Sequence, residues 1–195
     1  MFLLIFGVYK KNSSSIVYNL STLGLVLILV VIINLDTNIE ISLFNSSYSI
    51  DNLSRFMKIL LILSGIFVML SSTKYIQTNE INKIEYPILI LCSILGMMVM
   101  ISSNDLIVFY IGLELQSLAL YVLASFNRDN ILSTESGLKY FVLSALSSGL
   151  LLYGCSLIYG FSETTNFFEI LNNTKDTQYG LTFGIVFILV GLAFK

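Results

Sequence analysis

The carboxylate of Glu114 is the first candidate for a group that does chemistry. Glu114 lies near the middle of a long apolar segment, 106–125, and Tyr110, Ser117 and Tyr121 recur around it at steps of four and three residues. This spacing places the four side chains on one face of a helix. If the segment crosses a membrane, an ionisable group at that depth is a functional candidate by default. The alternative is a carboxyl that only hydrogen-bonds between packed helices, although a neutral glutamine would do so without the desolvation cost.

Three lysines are candidate partners for such a carboxylate. Lys139 follows Glu135 by four residues, the spacing of a helical salt bridge, and fits an interfacial lysine as well as a buried functional one. For Lys195 and Lys58 the residues alone favour anchoring at the membrane interface. Burial disfavours a charged lysine and a nearby carboxylate restores the charge. Moving a carboxylate relative to a lysine could therefore load or release a proton.

The composition requires a lipid environment for these residues. The chain is 56% hydrophobic and 11% charged, with a mean hydropathy of +0.87, whereas soluble domains have about 25% charged residues. The net charge of -2 leaves no basic excess for nucleic acid. Histidine is absent and Cys92 and Cys155 lie far apart, which argues against histidine-ligated haem, zinc sites and iron–sulfur clusters in this chain. Any redox centres would belong to other chains.

The apolar runs predict an all-α integral membrane bundle. A helix needs about 20 apolar residues to cross a bilayer, and five runs are predicted to be full spans: 16–35, 53–72, 86–101, 106–125 and 137–161. Two further runs, 1–9 and 180–195, are partial spans. Between residues 36 and 52 apolar and polar residues alternate, which predicts a small β-hairpin on the membrane face. The whole chain, 1–195, reads as a single transmembrane domain.

The loop charges predict an orientation. With alternating spans, one side of the membrane carries Lys10, Lys11, Lys74, Lys83 and Arg128, so that side is expected to face the cytoplasm or the mitochondrial matrix. The chain has no basic-then-apolar signal segment. Its residue usage is typical of AT-rich codons, which favours the mitochondrial inner membrane over a bacterial plasma membrane.

Two long stretches resemble a known family. Residues 104–130, NDLIVFYIGLELQSLALYVLASFNRDN, and 135–160, ESGLKYFVLSALSSGLLLYGCSLIYG, are similar to the antiporter-like membrane subunits of respiratory complex I, NADH:ubiquinone oxidoreductase. The group they resemble is mitochondrial chain 2, called subunit N in bacteria. GIVFILVGLAFK, at 184–195, resembles the family's next helix, and weaker similarity extends to IDNLSRFMKIL at 50–60.

The resemblance implies roles for three residues. Glu114 falls on the buried glutamate of the family's fifth helix and Lys195 on the lysine of its seventh, the pair thought to couple charge movement to proton transfer. Lys139 falls on the lysine of the sixth helix. The implied function is proton translocation as a membrane-arm subunit, with NADH, FMN, iron–sulfur clusters and ubiquinone bound by other subunits and no cofactor in this chain. The implied partners are other membrane-arm subunits and lipids, and no nucleic acid.

The chain also departs from the family. Full-length members have a dozen or more helices, whereas this chain stops at the lysine of the seventh. This departure predicts the N-terminal half of a split subunit whose other half is a separate chain; a piece of a longer product is the alternative. Two other functions stay open: a free-standing cation/proton antiporter, whose transport needs no NADH, and an accessory membrane subunit with a purely structural role.

Overall fold

The computed structural model describes residues 14–34, 41–78, 83–173 and 178–195. Within these ranges the chain forms seven helices and one two-stranded antiparallel sheet. In chain order they are α1 Ser14–Asn34, β1 Ile41–Leu43, β2 Tyr48–Ile50, α2 Asn52–Thr78, α3 Glu85–Ile101, α4 Leu106–Ala124, α5 Ile131–Ser162, α6 Phe167–Asn173 and α7 Gln178–Phe194.

The helices match the predicted apolar runs. Four of them, α1, α2, α4 and α5, are long and apolar enough to cross a membrane. The predicted run 86–101 is a helix of 17 residues, about 25 Å long at 1.5 Å per residue, and α7 is equally short. The predicted partial span 1–9 lies outside the described residues. The all-α membrane fold and the predicted hairpin are both confirmed.

Glycines let two pairs of helices approach at backbone distance. A Cβ added to Gly96 of α3 would lie 2.6 Å from the backbone nitrogen of Gln116 in α4. A Cβ added to Gly154 of α5 would lie 2.8 Å from the carbonyl oxygen of Gly184 in α7. Small residues at helix contacts are the usual way in which membrane helices pack closely. The second contact sets the position of α7 on α5, and with it the position of Lys195.

The buried apolar side chains form two clusters. One joins α1, α2 and α3 around Leu25, Ile62 and Ile94. The other joins α4, α5 and α7 around residues such as Leu106 and Leu151. Many large apolar side chains on every long helix remain exposed, which suits surfaces that contact lipid or neighbouring subunits.

Three connecting segments meet at one end of the bundle. Ser49 of β2 donates a backbone hydrogen bond to Ser102, 2.9 Å long, so the hairpin pairs with the α3–α4 connection. Asp105 caps α4 by accepting a hydrogen bond from the backbone nitrogen of Ile107, and Thr165 of the α5–α6 connection donates to the same carboxylate at 2.5 Å. These contacts place the hairpin and both connections on one face, opposite the face that carries Arg128. The alternation of helices that the loop charges required is therefore present.

Candidate functional site

Helix α4 carries its polar side chains toward the bundle. Asp105 fixes the start of the helix, and Glu114 is in its middle. The Glu114 side chain is 26% exposed. The Ser117 hydroxyl, one turn later, donates to the Glu114 backbone oxygen at 3.0 Å and lies 3.3 Å from Oε2 of its carboxylate. Glu114 and Ser117, two members of the predicted stripe, therefore form a local hydrogen-bonded unit.

Lys195 meets this unit from α7. Its Nζ lies 2.5 Å from Oε2 of Glu114, and its side chain is only 9% exposed. The structure thus places Lys195 inside the bundle, and the interfacial position that the residues alone favoured is wrong. The reason is tertiary: the contact of Gly154 with Gly184 and that of Gly191 with Leu151 hold α7 against α5, so its end points at α4.

A cavity of about 370 Å³ adjoins the ion pair. Its lining includes Gln116 and Ser117 of α4, Tyr140 of α5, and Leu192 with Lys195 itself. The lining therefore mixes hydroxyl, amide and ammonium groups with apolar side chains. A buried ion pair becomes strongly unfavourable when one partner loses its charge or moves away. The arrangement can thus couple a displacement of Glu114 to release of a proton from Lys195 into the cavity.

Lys139 lies away from the Glu114/Lys195 pair. Its Nζ is 2.6 Å from Oε1 of Glu135, and the two side chains are 70% and 51% exposed. The salt bridge expected from the spacing of four residues is present. The pair lies on the outer surface of α5, where Lys139 lines an apolar groove with Leu138, Val142 and Leu143. The structure does not bring Lys139 together with the Glu114/Lys195 pair, and its role stays a prediction.

Comparison with known proteins connects this geometry to a family. The family described as NADH:quinone oxidoreductase/Mrp antiporter, TM, matches residues 103–195. NADH-quinone oxidoreductase subunit N of Pelagibacter ubique is 69% identical over 195 residues, which is 100% of this chain and 41% of that protein. The chain belongs to this family of antiporter-like membrane subunits.

Two solved structures have the same fold. A chain of respiratory complex I from Thermus thermophilus superposes with a TM-score of 0.80 at 25% identity, over 98% of this chain and 40% of that one. A chain of an archaeal membrane-bound sulfane sulfur reductase gives 0.79 at 22% identity, over 98% of this chain and 41% of that one, a likeness of fold alone. The expected family and fold are confirmed. The chain spans about two fifths of the length of the relatives it matches.

The burial of one further lysine was not predicted from the sequence. Lys58 of α2 is buried, with Nζ 3.1 Å from the Tyr48 hydroxyl and 5.1 Å from the centre of its ring. The hairpin therefore covers Lys58, and the interpretation of Lys58 as an interfacial lysine stays a prediction. Only the aromatic residue ten positions earlier, on the predicted hairpin, could have indicated this contact. Among the described residues, no three histidine, cysteine or acidic side chains come close enough to hold a metal ion.

Proposed function

We propose that this chain takes part in proton translocation within the membrane arm of an NADH:quinone oxidoreductase. Electron transfer from NADH to quinone, with its flavin and iron–sulfur centres, would take place on other subunits, and this chain would have no catalytic activity alone. The observation that carries the proposal is the Glu114/Lys195 ion pair, 2.5 Å long, in the interior of a chain 69% identical to a subunit N.

In this mechanism Glu114 is the electrostatic switch and Lys195 the proton carrier. While the carboxylate stays beside Lys195, it stabilises the ammonium against the cost of burial. When a charge movement elsewhere draws Glu114 away, burial favours the neutral amine, and Lys195 gives its proton to the adjoining cavity. Lys139, on the outer surface of α5, would act as a partner between this chain and a neighbouring subunit, because its ion pair is available to an adjacent chain.

The localisation is also a proposal, and it weighs residue usage against the organisms of the relatives. The chain is a multi-pass membrane protein. The residue usage favoured the mitochondrial inner membrane, whereas the Pelagibacter and Thermus relatives favour a bacterial plasma membrane, and we propose the latter. The separate chain predicted to supply the remaining helices stays a prediction.

The decisive variant is Glu114→Gln in the full-length protein within its complex. Glutamine keeps the size of the side chain but removes the charge that stabilises the Lys195 ammonium. We expect proton uptake by inside-out membrane vesicles, measured with NADH as the electron donor, to fall sharply while the complex still assembles. Glu163→Gln, an exposed glutamate just after α5, is the matched control and should leave proton uptake unchanged. Normal pumping by Glu114→Gln would refute the role of the ion pair.

The rival functions have separate signatures in the same vesicles. A free-standing cation/proton antiporter would exchange ions driven by an imposed gradient without NADH, a possibility raised by the antiporters that share the family description. A purely structural subunit would tolerate neutralisation of Glu114 and Lys195 together with no loss of NADH-driven proton uptake. We expect neither result.

A further inference from the structure

An open groove runs along the outer surface where α4 ends and α5 begins. It measures about 370 Å³ and lies between the last turn of α4 and the first three turns of α5. Its walls include Val122, Leu138 and Phe141, whose apolar side chains are 47%, 65% and 48% exposed. The groove therefore opens sideways from the bundle, where lipid or another protein segment covers it in a membrane. We call it the α4/α5 groove.

A cation lies at one end of this groove. Arg128, in the connection between α4 and α5, is exposed and lines the groove together with Ser125 and Thr134. Among the residues that the structure describes, no carboxylate pairs with the Arg128 guanidinium, although Asp129 is its neighbour in sequence. Helix α5 also begins here, and the positive end of a helix dipole favours an anion. This end of the groove is therefore suited to a negatively charged group.

The groove extends to about the depth of one lipid leaflet. Phe141 follows the start of α5 at Ile131 by ten residues, which is about 15 Å along the helix axis. Half of a hydrocarbon core of about 30 Å is the same distance. The end that carries Arg128 is on the face expected to meet the cytoplasm, where the lipid headgroups are anionic. A cation above apolar walls matches the order of groups in an anionic phospholipid, which has its phosphate above its acyl chains.

We propose that the α4/α5 groove binds one anionic phospholipid, with its phosphate on Arg128 and one acyl chain along Leu138 and Phe141. A guanidinium can donate two parallel hydrogen bonds to phosphate oxygens. A free phosphate ion would use only the basic end and would leave the apolar walls uncovered. The ion pair of Lys139 lies in the adjoining groove, so the lipid site is separate from the residue that we place between subunits.

The test measures where a labelled lipid attaches to the protein. The full-length protein, purified in its membrane assembly, would be reconstituted into phosphatidylcholine vesicles that contain phosphatidylglycerol with a photoreactive group in one acyl chain. After irradiation, peptide mass spectrometry would locate the attached lipid. We expect attachment to the peptides of α4 and α5 that line the groove. Arg128→Gln should reduce this attachment about fivefold, the factor that one basic residue near an anionic membrane surface supplies.

A second variant tests the acyl part of the site, and a third is the control. Leu138→Asn adds an amide to the wall of the groove at an exposed position, so we expect the protein to fold and the attachment to decrease. Lys83→Gln removes a cation at the same end of the bundle, 5.8 Å from the centre of the Phe126 ring, that does not line the groove. Its attachment should equal that of the unmodified protein.

Three results would overturn the proposal. Equal attachment of labelled phosphatidylcholine would show that the groove does not recognise an anionic headgroup. Displacement of the labelled lipid by inorganic phosphate, but not by chloride at the same ionic strength, would identify a site for the free anion. Absence of the label from the groove of the assembled protein would show that another protein segment covers it. If Arg128→Gln fails to assemble, Leu138→Asn decides by the same measurement. None of these results depends on proton uptake, so the role of the Glu114/Lys195 pair is tested separately.

Discussion

Two lysine–glutamate pairs in this chain have similar bond lengths and opposite surroundings. The Glu114/Lys195 pair joins two helices across 81 residues of sequence and lies inside the bundle. The Glu135/Lys139 pair joins neighbouring turns of α5 and lies on the outer surface. The difference is the environment: only the first pair is enclosed by protein beside a cavity. Opposite charges lie equally close in both pairs, so only the surroundings distinguish the pair that we propose as a switch from the one on the surface.

Breaking the enclosed pair should have the largest effect. Lys195→Met leaves the Glu114 carboxylate without its cation in the interior, and removing one partner of a buried ion pair typically costs about 3–5 kcal/mol. We expect a marked fall in the thermal unfolding temperature of the purified complex, together with loss of proton uptake. Adding Glu114→Gln to Lys195→Met should recover part of the stability but none of the uptake. Equal stability of the single and double variants would contradict the energetic coupling.

Displacing α7 should have an intermediate effect on the same pair. Gly154→Ala places a Cβ within 2.8 Å of the backbone of α7, and overpacking of this kind costs about 1–3 kcal/mol. The shift of α7 would lengthen the contact of Lys195 with Glu114, so we expect lower thermal stability and partly reduced proton uptake. Gly149→Ala in the same helix meets no neighbouring atom within 4 Å and should change neither. Equal behaviour of the two variants would show that the α5–α7 contact does not position Lys195.

Removing the outer pair should have the smallest effect on stability. Exposed pairs at this helical spacing contribute about 0.3–0.5 kcal/mol, so Lys139→Gln should leave the thermal unfolding temperature nearly unchanged. If Lys139 acts between subunits as proposed, proton uptake should nevertheless decrease. The two measurements together distinguish a surface charge with a function from one without. Unchanged uptake would remove Lys139 from the proposed mechanism. Only the Glu114/Lys195 pair would then have a role in proton uptake.

Local pattern predicted a large part of this fold. The apolar runs predicted the helices, the alternation around Ile41 and Leu43 predicted the hairpin, and the spacing of Glu135 and Lys139 predicted their salt bridge. Each of these depends on residues that are close in sequence, where helix or strand geometry fixes the distance. The predicted third run, 86–101, matches α3 to within one residue, but at 17 residues this helix is not among the four long enough to cross a membrane.

The contacts that local pattern did not predict join distant segments. Lys58 and Lys195 both appeared as interfacial lysines because a lysine near the end of an apolar run usually reaches the membrane surface. The hairpin covers the first, and the close packing of α7 on α5 buries the second. The family resemblance corrected the expectation for Lys195, whereas for Lys58 only Tyr48 on the predicted hairpin could have indicated the contact.

The amino-acid sequence by itself determined that this chain needs a membrane, where its helices form, and that Glu114 lies in the middle of one of them. Hydrophobicity and helical periodicity are properties of contiguous residues, so they require no knowledge of the rest of the chain. The tertiary structure alone decided that Lys195 meets Glu114 and that Lys139 does not. These relations depend on how closely the helices approach each other, and glycine contacts between distant segments set that distance.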